Sequence, residues 1–457
     1  MKPELHPDAA KNFHEKAQVL LAAVAPEPQQ APSEPPTHMF RPGGHVAATF
    51  DERDYFEFKI TGQSDQLDRT TARYFEHEGR RFGLEDEKYQ ALARLSESIQ
   101  KTRAFRDLVS TKWVEDRILD WIKAKYAGKV VSTLGDYLAE QCEEDVKEHE
   151  LWFPISHLSI ESDLTFGNVV FRTITKEFVD RWEEGMQGAK EGRDAAYAAQ
   201  LDVYLARQRT NLQGFAAATA KVNAEPKRAY EVALRESERA IATLRVYHVA
   251  ATTTPEVTSY CAVLGRENVE GVKHLEMEGG RVRSWGEQPA GGPVFNWHLS
   301  DDDIRKYTGS LGFDQVNRLL ALKDRTKFQE TLLDALLLYS RSTREKDLAG
   351  KLVYTLVAME SVLLRNDTEP IQQNVGERMA FLNASTVEKR KAIIRNLKAA
   401  YALRSKFIHH GHTIEERETV WRFMIEAWAF FTNLAKASQR FETKEELIDH
   451  LEAMKLS

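Results

Sequence analysis

Residues 401–412, YALRSKFIHHGH, place an arginine and a run of imidazoles inside a segment that otherwise patterns as a helix. Ile394, Leu397, Ala400, Tyr401, Arg404, Phe407 and Ile408 recur at the spacing of one helix face, so Arg404 belongs to the apolar stripe. A guanidinium stays charged, and on such a stripe it requires an anionic ligand, a carboxylate or a second chain. His409 and His410 titrate near neutrality and can give or take a proton. A structural account fits the same residues. Imidazoles in a last turn complement the negative end of a helix, Gly411 suits a left-handed cap, and Glu360, which interrupts the apolar run LVAMESVLL, could receive Arg404.

The elements that must position these residues follow from the rest of the pattern, which predicts a mainly α chain with a mixed α/β amino-terminal region. From about 301 onward there is little but helix: DDD at 301–303 as a helix start, then TLLDALLLYS, LVYTLVAMESVLL, VGERMAFL, KAIIRNLKAAYALRSKFIHHG and TVWRFMIEAWAFFTNLA. Short connections between them predict a helical bundle over 301–457. The mixed region spans 39–300. Residues 85–147 read as helical, with Trp113, Ile118, Trp121, Ile122 and Tyr126 on the apolar side, and 151–178 contain a hairpin signal at Gly167-Asn168. Helix is expected again over 177–249, broken near Glu225-Pro226. A few strands and a turn-rich loop carrying Trp285 and Trp297, candidates for ligand contact, fill 251–299. Residues 25–36, APEPQQAPSEPP, read as an extended tether, so 1–38 are expected to be a flexible amino-terminal segment with one possible short helix.

Composition excludes several classes. The formal charge of −7 argues against a general polyanion-binding surface, although a local basic site remains compatible with it. No apolar run approaches membrane-helix length, and the amino terminus is a poor match to a secretory signal, so a cytoplasmic protein without membrane contact is expected. Cys142 and Cys261 lack any ligand spacing and read as plain buried residues. No phosphate loop, dinucleotide fingerprint or zinc-protease motif occurs, and no metal or cofactor is expected. The acidic clusters at 301–303 and 143–145 read as helix-start charge and a solvated face.

Three stretches, YTLVAMESVLL at 354–364, VGERMAFL at 375–382 and YALRSKFIHHG at 401–411, resemble the Apea-like branch of the HEPN superfamily. The last fits that superfamily's Arg-x4-6-His signature. The resemblance implies an antiparallel HEPN-type bundle in 301–457 and a homodimer whose Arg-His pairs face one cleft. It also implies a metal-independent endoribonuclease, in phage defence or a toxin-like stress response, with 39–300 sensing or regulating through an unknown trigger. Arg404, His409 and His410 would be catalytic, Ser405 and Lys406 would contact RNA, and Glu360 and Arg378 would support the bundle. Ser405 departs from the asparagine, aspartate or histidine that often follows the arginine. Five helical residues rotate by roughly 140° and advance about 7.5 Å, so Arg404 and His409 meet only if the helix unwinds toward Gly411 or two chains combine. The alternative is a non-catalytic HEPN module that binds RNA, nucleotide or a partner protein.

Overall fold

Helix α1 (Pro7–Ala22) starts where the His6 ring accepts the Asp8 amide and Pro7 supplies a helix-ready φ. Its Phe13, Ala17 and Leu20 lie on one face and enter the core of a first compact unit, residues 1–149 with 222–232. The expectation of a flexible segment over 1–38 is therefore corrected at its start: three apolar residues at helical spacing suffice to bury α1. Strand β1 (Ala25–Pro26) then pairs antiparallel with a later strand, and the tether beyond residue 28 lies outside the described residues. The structure is a computed structural model that describes residues 3–28, 62–64, 70–129, 131–190, 192, 195–254, 257–266, 271–278, 281–289 and 295–456.

Strands β2 (Gly62–Ser64), β3 (Thr70–His77) and β4 (Arg80–Glu85) complete an antiparallel sheet in the order β1-β4-β3-β2. Against it pack α2 (Asp86–Gln100) and α3 (Thr111–Tyr126), while α4 (Leu134–Asp145) packs on α1 and α3. Trp113, Ile118, Trp121 and Ile122 of α3 are buried as their spacing predicts, and Tyr126 stays at the exposed end. Arg73 of β3 ties sheet to helix, donating to Glu115 at 2.7 Å and Asp116 at 2.6 Å.

The second unit comprises residues 150–221 and 233–457, so the division does not fall at 300/301: the carboxy-terminal helices share a unit with much of what precedes them. Its strands are β5 (Lys147–Ser156), β6 (Leu158–Ile160), β7 (Leu164–Phe166) and β8 (Val169–Thr173), followed by α5 (Lys176–Gln187), α6 (Ala195–Leu212), β9 (Ala216–Ala224) and α7 (Pro226–Leu244). Next come two 3-10 turns at 245–247 and 249–251, then β10 (Ala262–Val263), β11 (Gly271–Glu278), β12 (Arg281–Pro289) and β13 (Trp297–Leu299). One sheet runs β10-β5-β9-β8-β7, β11 and β12 form a hairpin, and β13 pairs parallel with β6. The β7–β8 turn is made at Gly167, whose φ of 65° explains the glycine. The expected helix over 177–249 is interrupted by β9. Ala216, Ala217, Ala218 and Thr219 are all buried there, on a strand flanked by β5 and β8, and small side chains fit where a sheet is covered.

Eight helices complete the unit: α8 (Asp301–Ser310), α9 (Phe313–Ala321), α10 (Lys327–Ser342), α11 (Leu348–Leu363), α12 (Ile371–Asn383), α13 (Val387–His410), α14 (Arg417–Lys436) and α15 (Lys444–Leu456). The acids at 301–303 begin α8 as expected, with Ser300 and Asp303 forming a reciprocal cap. Leu352, Leu356 and Met359 of α11 and Phe423, Phe430 and Phe431 of α14 are wholly buried, and Tyr339 of α10 stacks on Phe431 at 4.4 Å. The molecule is thus mainly helical with mixed α/β structure in its amino-terminal part. Among the described residues no helix is long and apolar enough to cross a membrane.

Candidate functional site

Helix α13 is fixed at both ends by its sequence. Thr386 caps the start by accepting the Lys389 amide, and Gly411, at φ 65°, closes the end with its amide on the Phe407 carbonyl at 2.9 Å. Ile393, Leu397, Ala400, Tyr401 and Leu403 are buried against the bundle. The stripe then leaves the core: Arg404 is half-buried, Phe407 is 38% exposed and Ile408 48% exposed. Its apolar character therefore outlasts the surface that the chain itself provides.

Arg404 does not pair with Glu360. That carboxylate accepts the Tyr401 hydroxyl at 2.9 Å, and burial, followed by the nearby Glu360 charge, raises the Tyr401 phenol, with Arg404 acting in the opposite sense. The Arg404 Nε is buried and has no hydrogen-bond acceptor, and among the described residues no carboxylate forms an ion pair with this guanidinium. Arg378 differs in every respect. It is 3% exposed and fully engaged, donating from Nη1 to Glu369 at 2.7 Å and to the Leu363 carbonyl at 2.6 Å, from Nη2 to Glu369 at 3.0 Å, and from Nε to Glu452 of α15 at 2.9 Å. Hydrogen bonding from Arg378 holds the Glu369 carboxyl down near 2. The Arg378 fork thus joins α12 to α15 and to the end of α11. On the far side of α12, Asn383 donates to the Glu426 carbonyl at 2.8 Å, and Asn396 of α13 donates to the Glu426 carboxylate at 2.9 Å.

Ser405, Lys406, His409 and His410 are exposed. The helix remains intact through His410, so the unwinding that would bring Arg404 and His409 together in one chain does not occur. The two side chains are separated by about 7.5 Å of rise and roughly 140° of rotation. A third imidazole joins the pair: past the Gly411 cap, the His412 amide reaches back to the Lys406 carbonyl at 3.4 Å, and its ring lies 5.8 Å from that of His410, itself 6.5 Å from that of His409. His412 was legible in the run HHGH, since a left-handed glycine cap reverses the chain beside the last helical turn.

The remaining candidates do not assemble. Trp297 is partly buried, its ring edge-on to His248 at 4.9 Å, and the side chain of Trp285 in β12 lies outside the described residues. Cys142 and Cys261 are buried and free, and burial pushes both thiols up to about 11. Asp302 is in contact with Arg305 and Asp145 accepts the Trp113 indole, and among the described residues no group of acids, histidines and cysteines is placed to hold a metal ion. Compared with known proteins, the chain matches no family model and resembles no curated protein and no solved structure.

Proposed function

We propose that this protein is a metal-independent endoribonuclease of the HEPN type that works as a pair of identical chains. In this reading the bundle ending in α15 is the HEPN fold, Arg404 of one chain holds the scissile phosphate, and His409 of the other moves protons with His410 assisting. The observation that carries the reading is the unpaired Arg404: a half-buried cation whose Nε has no acceptor, on a stripe that runs out through Phe407 and Ile408 to exposed imidazoles. Such a charge is stabilised by a phosphate brought to it, and such a stripe by a second copy.

The chemistry needs no metal. One imidazole removes the proton of the 2′-hydroxyl, whose oxygen attacks the adjacent phosphorus, and another protonates the departing 5′-oxygen, which leaves a cyclic phosphate and a 5′-hydroxyl. The guanidinium donates to the non-bridging oxygens as charge builds there. Ser405 and Lys406, exposed beside it, contact the RNA backbone. Defence against phage or a toxin-like stress response is the setting, with the amino-terminal region restraining cleavage until a trigger arrives.

The test is incubation of the purified full chain with mixed RNA in EDTA. Cleavage is expected, and is lost in Arg404→Ala and in His409→Ala with thermal unfolding unchanged. Mixing the two inactive variants should restore part of the activity, because the mixed pair keeps one intact Arg404–His409 combination. Binding without cleavage would replace the proposal by the non-catalytic module, and cleavage that survives Arg404→Ala would refute it.

A further inference from the structure

Away from α13, the second unit carries a solvent-open cleft of about 720 Å³ between α7, the segment around β10, and the end of α10 with the start of α11. Its walls are strongly cationic. Arg235, Arg239, Arg245, Arg266, Arg341 and Arg344 face it, with Lys346, against only Glu238, Glu345 and Asp347.

The acids do not balance this charge. Glu238 pairs with Arg266 at 3.2 Å, and Asp347 is occupied as the cap of α11, accepting the Gly350 amide at 2.7 Å. Burial, reinforced by Asp347, pushes the Glu345 carboxyl up and so disfavours its charged form. Arg235 and Arg239 lean on Glu236, at 3.4 and 3.8 Å. Among the described residues Arg245, Arg341 and Arg344 form no ion pair, and the Arg344 guanidinium donates to the Arg266 carbonyl at 3.0 Å.

Arg245 is the most demanding of the three. It is 5% exposed, its Nη1 donates to the Cys261 carbonyl at 2.8 Å, and its buried Nε has no acceptor. Burial, then the nearby Arg344, pulls its affinity for the proton down to about 9, which still leaves it charged at neutral pH. A charged fork buried with a single carbonyl partner and no carboxylate, beside two further unpaired guanidiniums and open to a cleft, gains stability when an anion occupies that cleft.

We propose that this cavity binds a small molecule carrying two or more phosphate groups, received by Arg245, Arg341 and Arg344. Guanidinium forks match phosphate oxygens two at a time, and three unpaired cations exceed what one carboxylate neutralises. The volume falls in the range of small-molecule sites, and Ile241, Val263, Leu337 and Tyr354 add apolar wall on which an organic body can rest. The site is independent of the chemistry assigned to Arg404.

The test is calorimetric titration and thermal unfolding of the full chain, at constant ionic strength, with sodium tripolyphosphate, ATP and citrate. A phosphate-bearing probe should bind saturably and raise the unfolding temperature, while citrate binds far more weakly. Binding of both tripolyphosphate and ATP points to the phosphates as sufficient, and binding of ATP alone adds the organic body as a requirement. Arg341→Ala and Arg344→Ala, nearer the surface and expected to fold normally, should each raise the dissociation constant by about tenfold or more. Arg245→Met should abolish binding. No saturable binding of either phosphate probe, or binding indifferent to Arg341→Ala and Arg344→Ala, would overturn the assignment.

Discussion

Lys351 of α11 is a wholly buried lysine whose replacement should stabilise the protein. Its Nζ donates to the Ala250 carbonyl at 2.7 Å, and burial lowers its affinity for the proton from 10.5 to about 7, with Glu345 partly opposing the change. In the unfolded chain the same amine binds its proton up to about pH 10.5, so between about 7 and 10.5 the unfolded state holds more protons and stability rises with pH. Below 7 both states are protonated and the contribution is flat at its lowest level. At about 1.4 kcal/mol per tenfold in proton affinity, the ceiling on the burial penalty is about 5 kcal/mol. Methionine fills a similar volume and removes that penalty, but strands the Ala250 carbonyl at a cost of about 1–3 kcal/mol. Lys351→Met should therefore gain about 2 kcal/mol near pH 7. Denaturant unfolding of the full chain, followed by helical circular dichroism from about pH 6.5 to about pH 9.5, measures both quantities. The variant should lose most of the upward slope of wild-type stability across that range. Parallel pH profiles for the two proteins, or a variant less stable at pH 7, would refute the reasoning.

Other perturbations separate the scaffold from the chemistry. Arg378→Ala leaves Glu369 and Glu452 without their buried cation and should destabilise by about 3–5 kcal/mol, read as a lowered unfolding temperature. Because the folded Glu369 carboxyl is held near 2, its contribution to stability is complete above about pH 4.5 and lost as pH falls toward 2; acid unfolding of Arg378→Ala should lack that component. His248, lowered to about 4 by burial and then by Lys351 and Arg245, has the opposite sense to a paired histidine: the unfolded chain takes up its proton first, so stability should fall between about pH 6.5 and 4, and His248→Gln should flatten that fall. Gly411→Ala meets no neighbour and should cost about 1 kcal/mol from the left-handed backbone alone, whereas Gly167→Ala adds a Cβ 2.6 Å from Leu320 and should cost distinctly more in the same melts.

The sequence exposes some of this architecture better than the rest, for physical reasons. The helices α10 and α13 were readable because each begins at a capping threonine and carries an apolar face, and the hairpin at Gly167 because only a glycine accommodates that turn easily. The strand β9 was not readable. AAATAKVNA has the composition of a helix, and what makes it a strand is its place between β5 and β8, a contact set by residues far away in the chain. Around α13 the spacing rule placed Arg404 on the stripe correctly but could not show where the core ends, one turn before Phe407 and Ile408. The cavity cations were less legible still. Arg235 and Arg245 come from α7 and the turn that follows it, Arg341 and Arg344 from the end of α10 and just beyond it, about a hundred positions later, and each alone reads as an ordinary surface charge.

Lys351 is different, because its burial could have been argued beforehand. The spacing that puts Arg404 among apolar neighbours also aligns Lys351 with Thr355, Ala358 and Val362, all buried. Leu352, Leu356, Met359 and Leu363 occupy the adjoining face, and they are buried too. A helix that is apolar nearly all round leaves a lysine little solvent-facing side to occupy, so its amine must either snorkel past a neighbour or find an acceptor inside. Here it finds the Ala250 carbonyl, just beyond the 3-10 turn that begins at Arg245. The 245–251 segment therefore carries one cation and receives another, and His248 between them is kept neutral by burial first and then by both of these charges. Positive charge without a matching acid is thus a property of this whole corner of the second unit, which is why an anion added to the neighbouring cavity should stabilise more than the side chains it touches.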